Sequence, residues 1–330
     1  MNYKAKIIKI AEVTVKLLIV LLGFFIIYKK LFVNQKINDV FHEVINCFST
    51  NRQYFLMLLA FLLVPLNLFM ESIKWKLQLK PIENLNNWKS FISIFTGISA
   101  GMFFPNRMGN FLGRIFILEK GDRIKASLTT IVGGMAQMIA TVSSGLIAYL
   151  FFIEKHIILN SLCVCIIIFV MSLIYFNIHI LRHVMFFFPK RIIIKTEEYF
   201  ETFASYSKNE LLKILLISFA RYFLYTFQFV LLIWSFNIPL TYFDAMIPIA
   251  FTYLLMMVIP FITITEIAIR GSVSIMVFEK WFIMNNINTS MGMMVFIASS
   301  LLWIFNIAIP AVIGLFLTYH LNFFRNKNEL

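Results

Sequence analysis

Charged residues are scarce in this sequence. Asp, Glu, Lys and Arg together make up 14% of the 330 residues, against about 25% in ordinary soluble domains. Glycine, proline and cysteine are also few, with 12, 8 and 3 residues. Apolar residues take their place, since 60% of the chain is hydrophobic and 38 residues are phenylalanine. This composition excludes a disordered chain, a coiled coil and a secreted disulfide scaffold, and it predicts an all-α polytopic membrane protein.

Acidic residues are outnumbered by basic ones, 16 against 29, which gives a net charge of +13. In a membrane protein this excess indicates basic cytoplasmic loops and contact with anionic lipids, rather than binding of nucleic acid. Lysines at positions 4, 6, 9 and 16 precede the apolar run 17–28, and no small-residue cleavage site follows that run. We therefore expect an uncleaved membrane anchor with its amino terminus in the cytoplasm.

Six stretches are long and apolar enough to cross a bilayer, which takes about 20 mostly apolar residues. They are 13–32, 53–70, 126–153, 157–178, 214–236 and 291–319. Two further apolar stretches, 90–106 and 245–265, are interrupted by glycine or proline. Short interrupted stretches at corresponding places in two halves of a chain are typical of the broken helices of transporters. We interpret both as re-entrant helical hairpins.

The distribution of basic residues tests this interpretation. If both interrupted stretches return to the side on which they start, six full crossings leave both chain ends in the cytoplasm. Cytoplasmic segments then hold 21 Lys and Arg, and external segments hold six. If 90–106 crossed the membrane instead, the basic segments 107–125 and 182–213 would move outside, against the positive-inside rule. The count therefore favours six full transmembrane helices plus two re-entrant hairpins.

In this topology the first hairpin starts from the cytoplasm and the second from outside. Hairpins of opposite orientation are expected of an inverted repeat. The first half would then be 1–181 and the second half 214–330, joined by a cytoplasmic amphipathic connector over 182–213. No segment is long enough for a separate soluble domain, so we expect residues 1–330 to form a single integral membrane domain.

A polar motif follows the first interrupted stretch. Arg107, Asn110 and Arg114 are spaced three and four apart, so a helix would place them on one face. Two guanidinium groups and an amide on one face can bind phosphate through charge-assisted, bidentate hydrogen bonds. The alternative is that both arginines are interfacial anchors whose side chains reach the cytoplasmic headgroups.

A second polar motif follows the second interrupted stretch. Glu266 and Arg270 are spaced four apart, and an ionisable residue inside the membrane indicates a functional site by default. These two side chains can also simply neutralise each other. Arg221, alone in its predicted span, can either extend to the headgroups or pair with Glu266. We interpret Gln137 and Gln228 as groups that hydrogen-bond between helices.

Prolines and small residues frame both motifs. Pro105 is expected to start the helix of the first motif, and Gly109 and Gly113 form a Gly-x-x-x-Gly pair. Such a pair permits close approach of another helix or of a lipid headgroup. Pro260 and Gly271 flank the second motif in the same way. We interpret these five residues as the structural part of the candidate site.

The motif Pro105-x-Arg107-x-Gly109, followed by Arg114, resembles the transmembrane flippase-like region of bacterial lysylphosphatidylglycerol synthases. That region also occurs as a stand-alone membrane protein without the synthase domain. Family members commonly carry an acidic residue where this chain has Asn110, and a Gly-Gly pair in the second interrupted stretch that this chain lacks. The resemblance implies a multi-pass protein of the bacterial inner membrane that moves lipids between leaflets, or helps to move them.

Lipid translocation is therefore the expected function, with an anionic lipid or lipid-linked phosphate headgroup as the bound group. The expected headgroup-binding residues are Arg107, Asn110, Arg114, Arg221, Glu266 and Arg270. One alternative is an intramembrane enzyme acting on a lipid or isoprenoid phosphate, and another is a non-transporting accessory subunit. Such enzymes use clustered carboxylates with Mg²⁺, or a His–Asp arrangement, and neither pattern is present in the sequence.

Further expectations concern cofactors and partners. The sequence contains no nucleotide-binding loop, so ATP-driven pumping by this chain alone is not expected. No catalytic residue, metal ligand set or cofactor is predicted, and Cys47, Cys163 and Cys165 are interpreted as packing residues. Membrane lipids are the expected partners, while a homo-oligomer or a partner in envelope biosynthesis stays open.

Overall fold

A computed structural model describes residues 51–102, 104, 107–115, 117–118, 122–153, 155–178, 205–260, 265–287 and 291–319. In these ranges every regular element is helical. The α-helices are α1 (Asn51–Leu79), α2 (Asn87–Gly101), α3 (Gly109–Ile115), α4 (Arg123–Tyr149), α5 (Ile157–Phe176), α6 (Lys208–Ser235), α7 (Tyr242–Val258), α8 (Glu266–Met284), α9 (Gly292–Trp303) and α10 (Ile309–Tyr319). A 3₁₀ turn, Leu150–Phe152, follows α4, and a π-helical turn, Ile304–Ala308, joins α9 to α10.

Five helices are long and apolar enough to cross a bilayer: α1, α4, α5, α6 and the continuous helix Gly292–Leu317 built from α9 and α10. They confirm five of the six predicted spans and show a multi-pass helical membrane protein. The sixth predicted span, 13–32, lies outside the described residues, as do residues 182–204 of the predicted connector. Two spans are longer than predicted, because α1 continues beyond residue 70 to Leu79 and α6 begins before residue 214, at Lys208.

Polar side chains mark where two of these long helices begin. The Asp122 carboxylate accepts hydrogen bonds from the backbone N–H groups of Ile124 and Lys125, at 2.8 and 3.3 Å, at the start of α4. At the start of α6, Ser207 and Glu210 form a reciprocal capping box. Both caps satisfy N–H groups that the first helical turn leaves without a partner inside the helix.

Helices α1 and α6 form an antiparallel pair. At one end the Lys80 ammonium lies 2.7 Å from the Glu210 carboxylate. Toward the opposite end the side-chain amide of Gln228 donates a 3.0 Å hydrogen bond to the carbonyl of Ala60. Residue numbers therefore rise along α1 as they fall along α6. The Gln228 bond also confirms its predicted role as a group that hydrogen-bonds between helices.

Each interrupted stretch belongs to a pair of helices that meet at a break. Hairpin one consists of α2 and α3, with its break at 102–108, and hairpin two consists of α7 and α8, with its break at 259–265. The predicted hairpins 90–106 and 245–265 were therefore too short, since each contains only the first helix and the break. The prediction stopped where polar residues end the apolar runs. In the structure a second helix, α3 or α8, follows each break.

Glycines hold the two helices of hairpin one together. A Cβ added at Gly97 would lie 2.7 Å from Cγ of Arg114, and one added at Gly113 would lie 2.7 Å from the Cα of Gly97. The hydroxyl of Thr96 donates a 3.0 Å hydrogen bond to the carbonyl of Gly113 across the same contact. The Gly-x-x-x-Gly pair predicted at Gly109 and Gly113 therefore faces a helix, α2, and not a free surface.

One kind of helix contact, a glycine of one helix against two residues four apart on another, occurs twice among the described residues. Gly145 of α4 packs against Ala250 and Leu254 of α7. Gly314 of α10 packs in the same way against Phe95 and Ser99 of α2. The two glycines differ by 169 positions, while Phe95 and Ala250, and likewise Ser99 and Leu254, differ by 155. Hairpin one thus contacts α10 in the same way as hairpin two contacts α4.

Helix α5 lies at the periphery. Only Val164 and Tyr175 among its residues are buried, so most of its surface is available to lipid. Cys163 and Cys165 are exposed on this helix as free thiols. The interpretation of these two cysteines as packing residues was therefore wrong, because α5 has an apolar surface all round and most of it faces outward. Cys47 lies outside the described residues.

Candidate functional site

A cavity of about 510 Å³ lies between the two hairpins and the pair α1–α6. Four arginines line it, namely Arg107, Arg114, Arg221 and Arg270, together with Glu71 and the amides Asn67, Asn110, Gln137 and Asn306. Aromatic and aliphatic side chains complete the wall. The structure thus brings together five of the six predicted headgroup-binding residues around one space, and the sixth, Glu266, binds two of the arginines behind the wall.

The first group of charges, which we call the Glu71 cluster, joins three helices. Arg114 of α3 lies 2.7 Å from Oε1 of Glu71. Arg221 of α6 and Lys74 of α1 both contact Oε2, the latter at 2.8 Å. The Glu71 and Lys74 side chains are 8% and 4% exposed, so one buried carboxylate neutralises part of the charge of three buried or half-buried cations.

The second group, which we call the Glu266 cluster, joins the two hairpin breaks. Arg107, in the break of hairpin one, contacts Oε2 of Glu266 through Nη2 at 2.5 Å and through Nε at 3.0 Å. Arg270, one turn along α8, contacts Oε1 at 2.5 Å and donates a 2.6 Å hydrogen bond to the hydroxyl of Tyr225. The predicted pairing of Glu266 with Arg270 is therefore present, and it is only half of the cluster.

Residues of the Glu71 cluster lie well inside the long helices α1 and α6. Glu71 precedes the end of α1 by eight residues, or about 12 Å at 1.5 Å per residue, and Arg221 lies near the midpoint of α6. The partner of Arg221 is Glu71 rather than Glu266.

The backbone at the break of hairpin one differs from the prediction. Helix α3 begins at Gly109, and Arg107 precedes it with a φ of 56° in the left-handed region. Pro105, which was expected to start this helix, lies outside the described residues. The left-handed turn is unusual for a residue with a Cβ. Arg107 and Arg114 nevertheless reach the same cavity, because the turn brings Arg107 toward Glu266.

Amide side chains connect the clusters to neighbouring helices. Asn67 accepts a 3.1 Å hydrogen bond from Nε of Arg221 and donates a 3.0 Å bond to Asn306 in the π turn. Gln137 accepts a 3.3 Å bond from the same guanidinium, which confirms it as an interhelical group. Asn110 lines the cavity with an Oδ1 that has no hydrogen-bond partner among the described residues.

The residues that sequence reasoning missed are Glu71, Lys74, Asn67 and Asn306. All four are buried in the structure. Glu71 and Lys74 follow the predicted span 53–70, where charged residues ordinarily mark the membrane surface. Their spacing of three on a helix was the available signal, since it matches an intrahelical ion pair at the end of an apolar run.

The predicted structural residues have distinct contacts. A Cβ added at Gly109 would lie closer than 3.0 Å to the backbone of Ala100, so α2 and α3 touch there. A Cβ at Gly271 would collide with the ring of Phe296 on α9. Pro260 lies in the break of hairpin two, after the end of α7. No group of three His, Cys, Asp or Glu side chains with metal-binding geometry occurs among the described residues.

No family model, no curated protein and no solved structure matches the chain.

Proposed function

We propose that this protein moves an anionic lipid between the leaflets of a membrane, with the lipid headgroup bound in the cavity between the hairpins. The observation that carries the proposal is the set of four arginines around one cavity enclosed by membrane-length helices. Arginine binds phosphate through a planar array of donors, and a charged residue inside a membrane is costly unless it has a partner or a task. The resemblance of residues 105–114 to a flippase-like region agrees with this proposal.

The arrangement of the hairpins supports translocation. We propose that they are re-entrant and start from opposite sides, in an inverted repeat. In support, the Lys76 ammonium near the end of α1 donates a 2.8 Å hydrogen bond to the Asn87 side chain at the start of α2. The Lys280 ammonium near the end of α8 instead lies over the ring of Phe152, just after the end of α4. The breaks meet through Arg107 and Glu266. In inverted repeats of this kind, alternate motion of the halves exposes a central site to each side in turn.

The surface beside Arg107 suits a lipid. The Arg107 side chain is 26% exposed, and Phe104, Met108 and Phe111 next to it are exposed apolar residues. A headgroup can enter the cavity past Arg107 while its acyl chains stay on this apolar surface. The cost of bringing the phosphate to mid-depth is offset by charge-assisted hydrogen bonds to the arginines.

The location follows from the charge distribution. We propose a bacterial inner membrane with both chain ends in the cytoplasm, because the basic residues at the Lys80–Glu210 end outnumber those at the Lys155 end.

The test is leaflet exchange in proteoliposomes made with headgroup-labelled anionic lipid. Arg107→Lys and Arg114→Lys keep the charge and remove the planar donor array. We expect each to lower the rate at least about tenfold, the effect of roughly 1.4 kcal/mol. Arg52→Lys, the same change at an exposed position at the start of α1, is the matched control and should keep the wild-type rate.

Three results would overturn the proposal. Wild-type rates in both cavity variants would reduce these arginines to structural groups. Release of a labelled water-soluble product from the lipid would indicate an intramembrane enzyme instead. Absence of exchange by the folded wild-type protein would favour an accessory subunit.

A further inference from the structure

Positive charge exceeds negative charge in the two clusters beside the cavity. Five cations, Arg107, Arg114, Arg221, Arg270 and Lys74, contact two carboxylates, Glu71 and Glu266. Each carboxylate therefore serves two or three cations, and three positive charges remain uncompensated among the described residues. Buried charges need a counter-charge or a large set of hydrogen bonds. The excess sets the charge of the anion that would complete the site.

The two clusters adjoin along helix α6. Arg221 binds Glu71, and Tyr225, four residues on and on the same helix face, accepts a hydrogen bond from Arg270. Four residues rise about 6 Å along a helix. Arginines of the Glu71 cluster and of the Glu266 cluster therefore face one cavity from positions about one helical turn apart. A pair of linked phosphoryl groups presents its outer oxygens over a comparable span.

Donors of both clusters are unused. Nε of Arg114 and Nε of Arg270 are buried without a hydrogen-bond partner among the described residues. Arg270 is 8% exposed and lines the cavity. Each arginine thus uses only part of its donor array on a carboxylate. One arginine of each cluster lines the cavity with an incompletely used donor array, which agrees with a ligand that has two anionic groups.

From these observations we infer that the headgroup is a diphosphate, with one phosphoryl group at each cluster. This inference rests on the proposed function and narrows its substrate class. A phosphodiester headgroup carries one negative charge and leaves two of the three positive charges uncompensated. A phosphomonoester carries about −1.5 to −2 at neutral pH. A lipid-linked diphosphate adds roughly one further charge to that, and it supplies acceptors for both clusters.

Binding of the diphosphate changes the partners of Arg107. Arg107 is the most exposed of the four cavity arginines and shares Glu266 with Arg270. The ligand competes with Glu266 for both guanidinium groups, so the contact between the two hairpin breaks weakens as the site fills. Glu71 keeps Lys74, which does not line the cavity, as its partner. Occupancy is thereby linked to separation of the hairpins.

The experiment measures binding to the purified full-length protein in lipid nanodiscs. Farnesyl diphosphate, farnesyl monophosphate, phosphatidylglycerol and inorganic pyrophosphate are compared as ligands. We expect farnesyl diphosphate to bind at least about tenfold more tightly than either farnesyl monophosphate or phosphatidylglycerol, and more tightly than inorganic pyrophosphate. Arg270→Lys should remove most of the preference for diphosphate over monophosphate, whereas Arg52→Lys should keep it.

The wild-type ligand series needs no variant, so a folding defect in Arg270→Lys leaves the test intact. Equal affinity for the monophosphate and the diphosphate overturns the diphosphate inference and leaves the proposed function standing. Equal affinity for pyrophosphate and farnesyl diphosphate assigns the site to a free diphosphate and overturns the lipid headgroup. Absence of binding for every anion in the series overturns both proposals.

Discussion

The Glu71 and Glu266 clusters use the same chemistry in different mechanical settings. Glu71 joins two continuous helices, α1 and α6, to α3, and its partner Lys74 is almost fully buried. Glu266 joins two helix breaks, and its partner Arg107 is 26% exposed. The first cluster can open only if long membrane helices separate, whereas the second can open through the breaks. The comparison indicates that Glu71 maintains the framework and that Glu266 holds a contact that can move.

The hairpins differ in a corresponding way. In hairpin one, glycines bring α3 against α2 along the whole length of α3. In hairpin two, α8 instead packs on α9, where Gly271 receives the ring of Phe296 and Ser274 lies 3.3 Å from Ser299. Hairpin one is therefore a unit held by its own helices, while the second helix of hairpin two is held by a neighbour.

The largest expected contrast is in the sidedness of the hairpins. Single cysteines at Asn86 and Phe243, exposed positions at the starts of α2 and α7, are introduced after Cys47, Cys163 and Cys165 are replaced by alanine. In spheroplasts an impermeant maleimide should label the Phe243 position fully and leave the Asn86 position unlabelled, because the hairpins start from opposite sides. Labelling of both positions from one side would refute the opposite orientation.

The next largest effect is expected for Glu71→Gln. Removal of one carboxylate leaves Arg114, Arg221 and Lys74 without a counter-charge, and breaking a buried ion pair costs about 3–5 kcal/mol. We expect a large fall in the thermal unfolding midpoint in detergent. Glu266→Gln should lower it less, because Arg107 reaches water and Arg270 keeps Tyr225.

Loss of stability in Glu266→Gln equal to that in Glu71→Gln would show that the clusters do not differ. A coupling cycle with Glu266→Gln, Arg270→Gln and the double variant distinguishes a purely structural ion pair from a functional role of Glu266. If the double variant recovered both stability and transport, Glu266 would be only a structural partner of Arg270.

A smaller effect is expected for Gly113→Ala in hairpin one. The added Cβ would meet the backbone of Thr96 and Gly97 closer than 3.0 Å, and overpacking of this kind costs about 1–3 kcal/mol. Gly134→Ala on α4 is the control, since its Cβ would meet nothing within 4 Å and alanine favours the helix by up to about 1 kcal/mol. Thermal midpoints should move in opposite directions; parallel shifts would contradict the close packing of α2 and α3.

The smallest effect is expected for Lys80→Ala. The Lys80 side chain is 65% exposed, and its 2.7 Å contact with Glu210 lies at the end of the α1–α6 pair. Exposed ion pairs contribute about 0–1 kcal/mol. The unfolding midpoint should therefore shift only slightly, and a loss as large as that of Glu71→Gln would show that the framework depends on the helix ends instead of the buried cluster.

Hydropathy predicted five spans because lipid-facing and core-facing helices of this chain are both apolar. The second helices of the hairpins, α3 and α8, were not predicted because they carry the charged residues that end the apolar stretches. Spacing also predicted the Glu266–Arg270 pair, since positions four apart on a helix are neighbours whatever the fold. The partners of Arg221 and Arg107 are 150 and 159 positions away, and no local pattern relates residues so distant. Glu71 was not predicted as a site residue because a charged residue after an apolar run usually lies in water. Here α1 continues to Leu79, and Glu71 is buried within it.

The π turn at Ile304–Ala308 makes this helix sensitive to the length of the chain. It holds one residue more than an α-helical path would, and each residue turns a helix by about 100°. Asn306 in the turn reaches Asn67, and Ala311 and Gly314 beyond it contact α2. Deletion of one residue from this segment would convert the π turn into an ordinary α-helical turn and leave Gly314 facing α2, whereas insertion of a further residue would rotate Gly314 away by about 100°. We expect this protein to tolerate a single-residue deletion in the segment and no single-residue insertion.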